Sequence, residues 1–366
     1  MNNHVTGLEI NTKAIEHNLA YFKQKLKAEP KILAVVKAFG YGSEAVEIAK
    51  TLQDKIAYFA VAYSHEGIAL RNAGIKTPIL VLHPQIQNLK EIIKFRLEPN
   101  LYNFKIFDAF LKLADEELLM NYPVHIKFNT GLNRLGFWHT DTPTIIAEVK
   151  KSNNVKVESI FSHLAASEDP NEQEFTIGQI NNFAYIVKQV YEHLGYEPMI
   201  HILNTSGVVN FPQAQFDMVR LGIGLFGFGN NEQETAQLKN THTLKSIISQ
   251  INLVKPGETV GYNRAFVANK PTRSATIPIG HADGISRKLG NGTGFVFINN
   301  QPVPIIGNVC MDMIMVDVTK IECKEGDEVI LFNHQQHINY IAHKCETIPY
   351  ETLTAISQRV KRTVKK

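Results

Sequence analysis

In the stretch Lys31 to Ser43, KILAVVKAFGYGS, an amine follows directly on an apolar run. Ile32 to Val36 is rich in β-branched residues and reads as a buried parallel strand, and Lys37 falls where that strand should end. Gly40-Tyr41-Gly42 then reads as a turn. A lysine at the carboxyl end of a buried strand is partly desolvated, which lowers its pKa and makes the free amine a usable nucleophile. That is the chemistry needed to form a Schiff base with an aldehyde cofactor. A solvated strand edge is the alternative, and this stretch alone does not choose between them.

Four other places carry chemistry-bearing residue types. His163, in FSHLAAS, follows a strand end and reads equally as a hydrogen-bonded rim residue or as a cofactor contact. Asn204-Thr205-Ser206-Gly207 follows another strand end; small hydroxyl residues and a glycine opening a helix either offer free backbone N–H groups to an anion or simply cap the helix. Arg220, in DMVRLGIGLFGFG, closes a strand ahead of Gly222, Gly224, Gly227 and Gly229. It either forms a rim salt bridge or points at a ligand, and the glycines allow the close backbone approach that phosphate binding by barrel loops needs. Tyr262, in GYNRAF, is a candidate acid or base, with an ordinary packed tyrosine as the alternative.

The elements that must position these residues alternate. A helical pattern runs through Ile15, Leu19, Phe22 and Leu26, with Thr12 as its cap. Strand-like runs follow at Lys31–Val36, Ala57–Ala62 and Pro78–Leu82, near Leu97, at Val124–Phe128, Val155–Phe161 and Met199–Leu203, and near Phe216–Val219. Helical patterns lie between most of them. About eight strand–helix units argue for a parallel sheet closed into a (β/α)8 TIM barrel. An open doubly wound sheet would need a GxGxxG turn after the first strand, and none is there. In a barrel, reactive groups sit at the carboxyl ends of strands, so Lys37, Lys127, His163, Asn204 and Arg220 are expected on one rim.

The pattern changes at the polar stretch NNEQETAQLKN. Beyond it, alternating runs broken by Gly, Pro and Asn read as an all-β domain with a short helical tail near Tyr350–Lys361. The expected division is therefore a barrel over residues 1–235, with residues 1–10 free to pack on the second domain, and a β domain over residues 236–366.

Composition removes several function classes. The 366 residues are 44% hydrophobic and 20% charged, as in a globular protein of two domains. A net charge of +3 with no basic block except Lys361-Arg362 and Lys365-Lys366 gives no argument for nucleic acid, and those residues read as a solvated tail. No signal peptide or membrane-spanning run is evident. The unpatterned cysteines, Cys310, Cys323 and Cys345, fit a reducing cytoplasm and neither a disulfide framework nor a metal site.

Taken together, the pieces resemble alanine racemase, a family of pyridoxal-phosphate enzymes with a barrel followed by a β domain. AVVKA-x-x-YG resembles the family's cofactor-lysine signature, and HIKFNTGLNRLGF its fifth-strand motif. MVRLGIGLFG, VGYNRAF, IPIGHADG, CMDM and YETLTAISQRVKR are similar to later motifs, in the same order. The resemblance implies that Lys37 holds the cofactor and acts as base on one face. It implies phosphate contacts from Tyr41, Thr205, the backbone of Gly222 and Ile223, and Tyr350, within the pocket that Asn204 helps form. Arg134 would bond the phenolic oxygen and help bind substrate; Arg220 would bond the pyridine nitrogen, with His163 behind it. Tyr262 would be the opposite base and Met311 would line the substrate carboxylate site, both from the second subunit of a homodimer. Lys127 is expected as a carbamate beside Arg134. No metal is implied.

The chain departs from that family in places. Phe39-Gly40 stands for Asn-Ala, and Ser43-Glu44 for His-Gly. His281 stands for the tyrosine of GYADG, which gates the substrate entrance, and introduces a titratable imidazole there. Asn308 replaces an arginine and Phe226 a tyrosine. The expected activity is cytoplasmic interconversion of L- and D-alanine for peptidoglycan of the cell wall. The rivals are a racemase of broader range, on serine or another amino acid, a non-catalytic cofactor-binding barrel, and a barrel-plus-β decarboxylase.

Overall fold

The computed structural model describes residues 5–27 and 30–365. Strand β1 (Gly7–Asn11) comes before the barrel and lies outside it. The Asn11 side chain accepts the Ala14 N–H and so caps the helix Thr12–Gln24. The cap is thus one residue earlier than expected, and the Thr12 hydroxyl instead donates to the Lys365 carbonyl at 3.1 Å.

The barrel runs through β2 (Lys31–Val35), β3 (Tyr58–Val61), β4 (Ile79–Val81), β5 (Glu98–Leu101), β6 (Tyr122–Lys127), β7 (Val155–Phe161), β8 (Met199–His201) and β9 (Met218–Leu221). The strands pair in parallel in the order β8-β7-β6-β5-β4-β3-β2-β9. Two backbone bonds join the ends: Asp217 N–H reaches the Ile200 carbonyl at 3.1 Å, and Arg220 N–H the Leu203 carbonyl at 3.0 Å. The sheet thereby closes into the expected TIM barrel. Strands covered on both faces are mostly apolar, and every residue of β3, β4 and β9 is buried, Arg220 being the charged one among them. The surrounding helices bury one stripe each; Phe104–Glu116 buries Ile106, Phe107, Phe110 and Leu113 at i, i+1, i+4 and i+7.

The second part is β-rich, comprising β10 (His242–Ile247), β11 (Gln250–Val254), β12 (Thr259–Val260), β13 (Phe266–Val267), β14 (Thr272–Ile277), β15 (Phe295–Ile298), β16 (Gln301–Ile306), β17 (Ile314–Asp317), β18 (Glu328–Phe332) and β19 (Lys361–Lys365). One sheet has the order β11-β14-β17-β16-β15-β18-β10-β1-β19. β1 pairs antiparallel with β10 and parallel with β19, so both ends of the described chain meet in this sheet.

The end of the chain corrects two expectations. Helix is confined to Gln335–Lys344 and Pro349–Thr354, and residues 361–365 form β19 rather than a helical or solvated tail. Arg362 donates to the carbonyls of Gly42 (2.9 Å from Nη2) and Ile356 (2.6 Å), and stands 5.7 Å from the Phe39 ring. With the buried Ser43–His242 hydrogen bond of 2.5 Å, it fastens the second domain to the segment that follows Lys37.

Candidate active site

Lys37 leaves the mouth of β2, and the chain then does something the sequence does not advertise. Ala38, Phe39, Gly40 and Tyr41 all take positive φ, between 52° and 65°, which makes one left-handed turn. Each L-residue in that region costs roughly 1–2 kcal/mol, so neighbours must hold it. One oxygen of Glu66 accepts the Ala38 N–H at 2.7 Å, and the other accepts those of Ala62 (2.7 Å) and Tyr63 (3.1 Å). Bonds to a carboxylate are among the stronger ones. Gly40 packs where a side chain has little room, since a Cβ would lie 3.0 Å from both the backbone N and the Cα of Ala45.

The turn delivers Lys37 and Tyr41 to one cavity of about 600 Å³ at the carboxyl ends of the strands. Lys127, Arg134, His163, Asn204, Thr205, Arg220, Gly222, Ile223 and Tyr350 line the same cavity. The rim expected from the strand pattern therefore exists, with Lys37, Lys127, His163, Asn204 and Arg220 all on it. Tyr262 and Met311 do not reach it. They line a separate groove of about 1100 Å³ on the second domain, where they are 73% and 59% exposed. His281 is also exposed on that domain, its N–H on the Cys310 carbonyl at 2.9 Å.

The cavity is strongly cationic. Lys37, Lys127, Arg134 and Arg220 line it, and none of its lining residues is Asp or Glu. Burial, and then the nearby Arg134 charge, lower the Lys37 pKa, so its amine is easier to free than that of an ordinary lysine. Burial, reinforced by Arg134, Arg220 and Lys37, brings Lys127 down to about 7. Burial lowers Arg220 to about 9, which still leaves it a cation at neutral pH. Burial raises Tyr41 well above the usual phenol value and Tyr350 to about 12, so both keep their protons as donors.

Arg220 is held rigidly. Nη1 donates to His201 Nδ1 at 2.6 Å, and the two hydrogens of Nη2 are shared among the carbonyls of Ser162 (2.7 Å) and Ile202 (2.8 Å) and His163 Nδ1 (3.0 Å). Its guanidinium carbon is 5.5 Å from the Phe161 ring centre. Its Nε–H bonds to none of the described residues and remains for a ligand. Burial and the surrounding cations, Arg220 first, hold His163 well below the usual imidazole value, so it accepts from Arg220 as a neutral ring.

At the other end of the cavity Asn204 proves to be a cap. Its Oδ1 accepts the Gly207 N–H at 2.9 Å and the Ser167 hydroxyl at 2.7 Å. Thr205 Oγ1 accepts the Gly222 N–H at 3.1 Å, which leaves the threonine's own hydrogen to donate. Sequence reasoning missed Tyr63, His83 and Phe161, which also line the cavity, and Glu66, which holds the turn. A local signal existed only for Glu66, three residues after Tyr63 at a helix start.

A desolvated lysine in a cavity without Asp or Glu at a barrel mouth, with a β domain attached, is the arrangement of a barrel enzyme whose amine suits a carbonyl-bearing anion. The particular family follows from comparison. The family model described as alanine racemase, N-terminal domain, matches residues 10–230, and that described as alanine racemase, C-terminal domain, matches residues 241–364. The chain belongs to the alanine racemase family. It is 38% identical to an alanine racemase of Fusobacterium nucleatum, covering 98% of this chain and 99% of the relative. It is 35% identical to one of Thermodesulfovibrio yellowstonii, covering 97% and 96%. The alanine racemase of Clostridium difficile 630 superposes with a TM-score of 0.94 at 32% identity, covering 100% of this chain and 97% of that one. The Bartonella henselae alanine racemase, solved with covalently bound pyridoxal phosphate, gives 0.88 at 28% identity over 99% and 100%.

The residues present fit pyridoxal phosphate. The excess of cations asks for an anion, and the phenols of Tyr41 and Tyr350 and the Thr205 hydroxyl keep hydrogens to donate. The lowered amine suits an aldehyde, and the free Nε–H of Arg220 suits a ring nitrogen.

Proposed function

We propose that this chain racemises alanine with pyridoxal phosphate, as a homodimer in which each barrel mouth is completed by the second domain of the partner. The observation that carries the reading is Lys37, a desolvated amine sharing one cavity with Arg134, Arg220 and a second lowered amine, Lys127, and with no Asp or Glu. The bound ring supplies an electron sink for the α-carbon. Lys37 anchors it and takes or returns the α-proton on one face. Tyr41, Thr205, Tyr350 and the Gly222–Ile223 backbone, with Asn204 behind them, bind its phosphate. Arg134 orients its phenolic oxygen and the substrate carboxylate. Arg220, backed by His163, meets the ring nitrogen with a group that donates a hydrogen bond but keeps its proton, which tempers the sink and disfavours side reactions.

Racemisation needs a second proton carrier on the opposite face, and the resemblance assigns it to Tyr262 of the second domain. Tyr262 and Met311 lie exposed beside Leu253 and Met313, also exposed, around a groove of the second domain. An apolar exposed patch of this kind suits burial against another subunit. We assign Tyr262 as the second base and Met311 to the substrate carboxylate site, both reaching the partner's barrel. Lys127, with its amine brought down to about 7, is suited to carry a carbamate beside Arg134. We place His281 at the substrate entrance, and residues 1–235 and 236–366 as the two units. Free cysteines suit the cytoplasm, where D-alanine would supply peptidoglycan.

Absorbance of the purified protein, a borohydride-trapped peptide containing Lys37, and D-alanine formed from L-alanine test the reading together. A protein that stays colourless with pyridoxal phosphate, or leaves enantiopure alanine unchanged, ends it. Rates on a panel of L-amino acids separate alanine from a broader range.

A further inference from the structure

Four hydrogen bonds cross the barrel interior from Arg220 to Glu98. Arg220 Nη1 meets His201 Nδ1 at 2.6 Å, His201 Nε2 meets Ser159 Oγ at 3.0 Å, Ser159 Oγ meets His125 Nδ1 at 2.6 Å, and His125 Nε2 meets Glu98 Oε2 at 2.8 Å. The five residues come from β9, β8, β7, β6 and β5 in turn. All are buried: His125, Ser159 and His201 show no exposed surface, Arg220 is 4% exposed and Glu98 8%.

The two ends fix the direction of every bond. A guanidinium only donates and a carboxylate only accepts. His201 Nδ1 must therefore accept, and its hydrogen sits on Nε2 and goes to Ser159. The serine's own hydrogen goes to His125 Nδ1, and His125 donates from Nε2 to Glu98. Were His125 instead to donate from Nδ1, the Ser159 hydroxyl would receive two hydrogens and have no acceptor for its own, because the rings are its only hydrogen-bond partners among the described residues. The relay is one-way.

It also answers an electrostatic question. A buried guanidinium without an ion pair is costly, and among the described residues no carboxylate lies within salt-bridge distance of Arg220. Its bonds go to carbonyls and to two imidazoles. The relay leads from it to a buried carboxylate. The Tyr58 phenol and Arg71 both feel the Glu98 charge, but the Arg71 donors are directed to the carbonyls of Ile75, Thr77, Phe95 and Arg96.

We propose that Glu98, His125 and Ser159 are positioning residues for racemisation, forming with His201 a one-way relay that orients the Arg220 guanidinium and gives it a buried counter-charge on the far side of the barrel. Their role in the reaction rests on the reading of Arg220 as the partner of the cofactor's ring nitrogen. The relay would keep the guanidinium in one pose and in its charged form while substrate enters and leaves. Removing the charge at Glu98 or the link at Ser159 should then alter turnover without altering how alanine is bound.

Neutron diffraction from deuterium-exchanged crystals of the holoenzyme reads the relay directly. Deuterium is expected on Nε2 of both His125 and His201, with Nδ1 bare in each; deuterium on either Nδ1 overturns the direction. In kinetics, Glu98→Gln and Ser159→Ala should each lower kcat about tenfold, with KM for alanine unchanged within about twofold. Ser159→Thr, which keeps the hydroxyl, should restore most of the loss. Folded Glu98→Gln and Ser159→Ala proteins with wild-type kcat overturn the positioning role. If Ser159→Ala fails to fold, the neutron map and Glu98→Gln still decide. A wild-type protein that does not racemise alanine would instead defeat the functional reading, while the neutron map still judges the relay.

Discussion

The Tyr41 hydroxyl stands over Gly222 so closely that a β-carbon on that glycine would come within 2.4 Å of the oxygen. That contact is enough to leave no room for a side chain. Tyr41 cannot simply swing away. Its ring is 4.6 Å from that of Phe226 and 5.9 Å from that of Tyr350, and it sits at the end of the left-handed turn. The phosphate end of the cavity is thus built from two segments pressed together.

Gly222→Ala should therefore cost about 1–3 kcal/mol by overpacking and loosen pyridoxal phosphate about tenfold or more. Thermal unfolding and titration of the cofactor by absorbance check both. Adding Tyr41→Phe should return part of the stability, because the hydroxyl oxygen is the nearest atom. An unchanged melting temperature and cofactor affinity in Gly222→Ala would contradict the packing described.

Lys127 gives a pH prediction with a definite sign. Its folded-state value of about 7 lies below the ~10.4 of an unfolded lysine. Between those values the unfolded chain holds a proton that the folded one has lost, so this group makes stability rise with pH across that window. Below about pH 7 both states are protonated and the full cost of the buried ammonium is present. Lys127→Met keeps the length and removes the charge. It should be more stable than wild type at pH 6, by at most a few kcal/mol, with the gap closing as pH approaches 10. Urea unfolding in carbonate-free buffer measures this. A gap that is constant with pH would mean that Lys127 pays no such cost.

Much of this fold was legible because a parallel barrel writes itself locally. Apolar runs covered on both faces alternate with amphipathic helices, and Lys37, Lys127, His163 and Arg220 fall at or just beyond the strand ends. What escaped is non-local. No pattern within residues 7–11 or 361–365 says that β1 and β19 pair with each other across the whole chain. The left-handed turn escaped because Ala38 and Phe39 are not residues that favour positive φ; Glu66 and the close packing at Gly40 impose it. Glu98, His125, Ser159 and His201 were visible as polar residues inside apolar strand runs, a signal that only a closed barrel turns into one chain of contacts. For Tyr262 the resemblance alone supplied an expectation, since the barrel it is proposed to serve would belong to a second copy.

Two proton carriers on opposite faces make an asymmetric prediction for Tyr262. Tyr262→Phe should slow solvent hydrogen exchange at the α-carbon of one enantiomer of alanine by about 10²–10⁴-fold, and that of the other far less, because Lys37 still serves its own face. Exchange followed by NMR in D₂O from each pure enantiomer separates the two. Equal losses in both directions would remove Tyr262 from the role. Because Tyr262 is exposed in one chain, mixing Tyr262→Phe with a Lys37→Ala protein should also restore activity to a fraction of the dimers, those in which one mouth receives both intact residues.

His281 carries the last prediction. Its backbone N–H bonds to the Cys310 carbonyl at 2.9 Å and that of Ala282 to the Met311 carbonyl at 3.0 Å, so the exposed imidazole is fixed beside the face that carries Met311. Asn308, two residues before Cys310, ties its side-chain amide to the Tyr262 carbonyl at 2.9 Å. Both are positions where the resemblance marks a departure from the family's motif, and both are attached to the segments that would enter the partner's barrel. His281→Tyr should therefore change KM for alanine and the pH profile of kcat/KM while leaving cofactor binding intact, since no atom of residue 281 lines the cavity that holds Lys37. The opposite pattern, an unaltered KM and profile with weakened cofactor binding, would move His281 from the substrate's path to a structural role within its own domain.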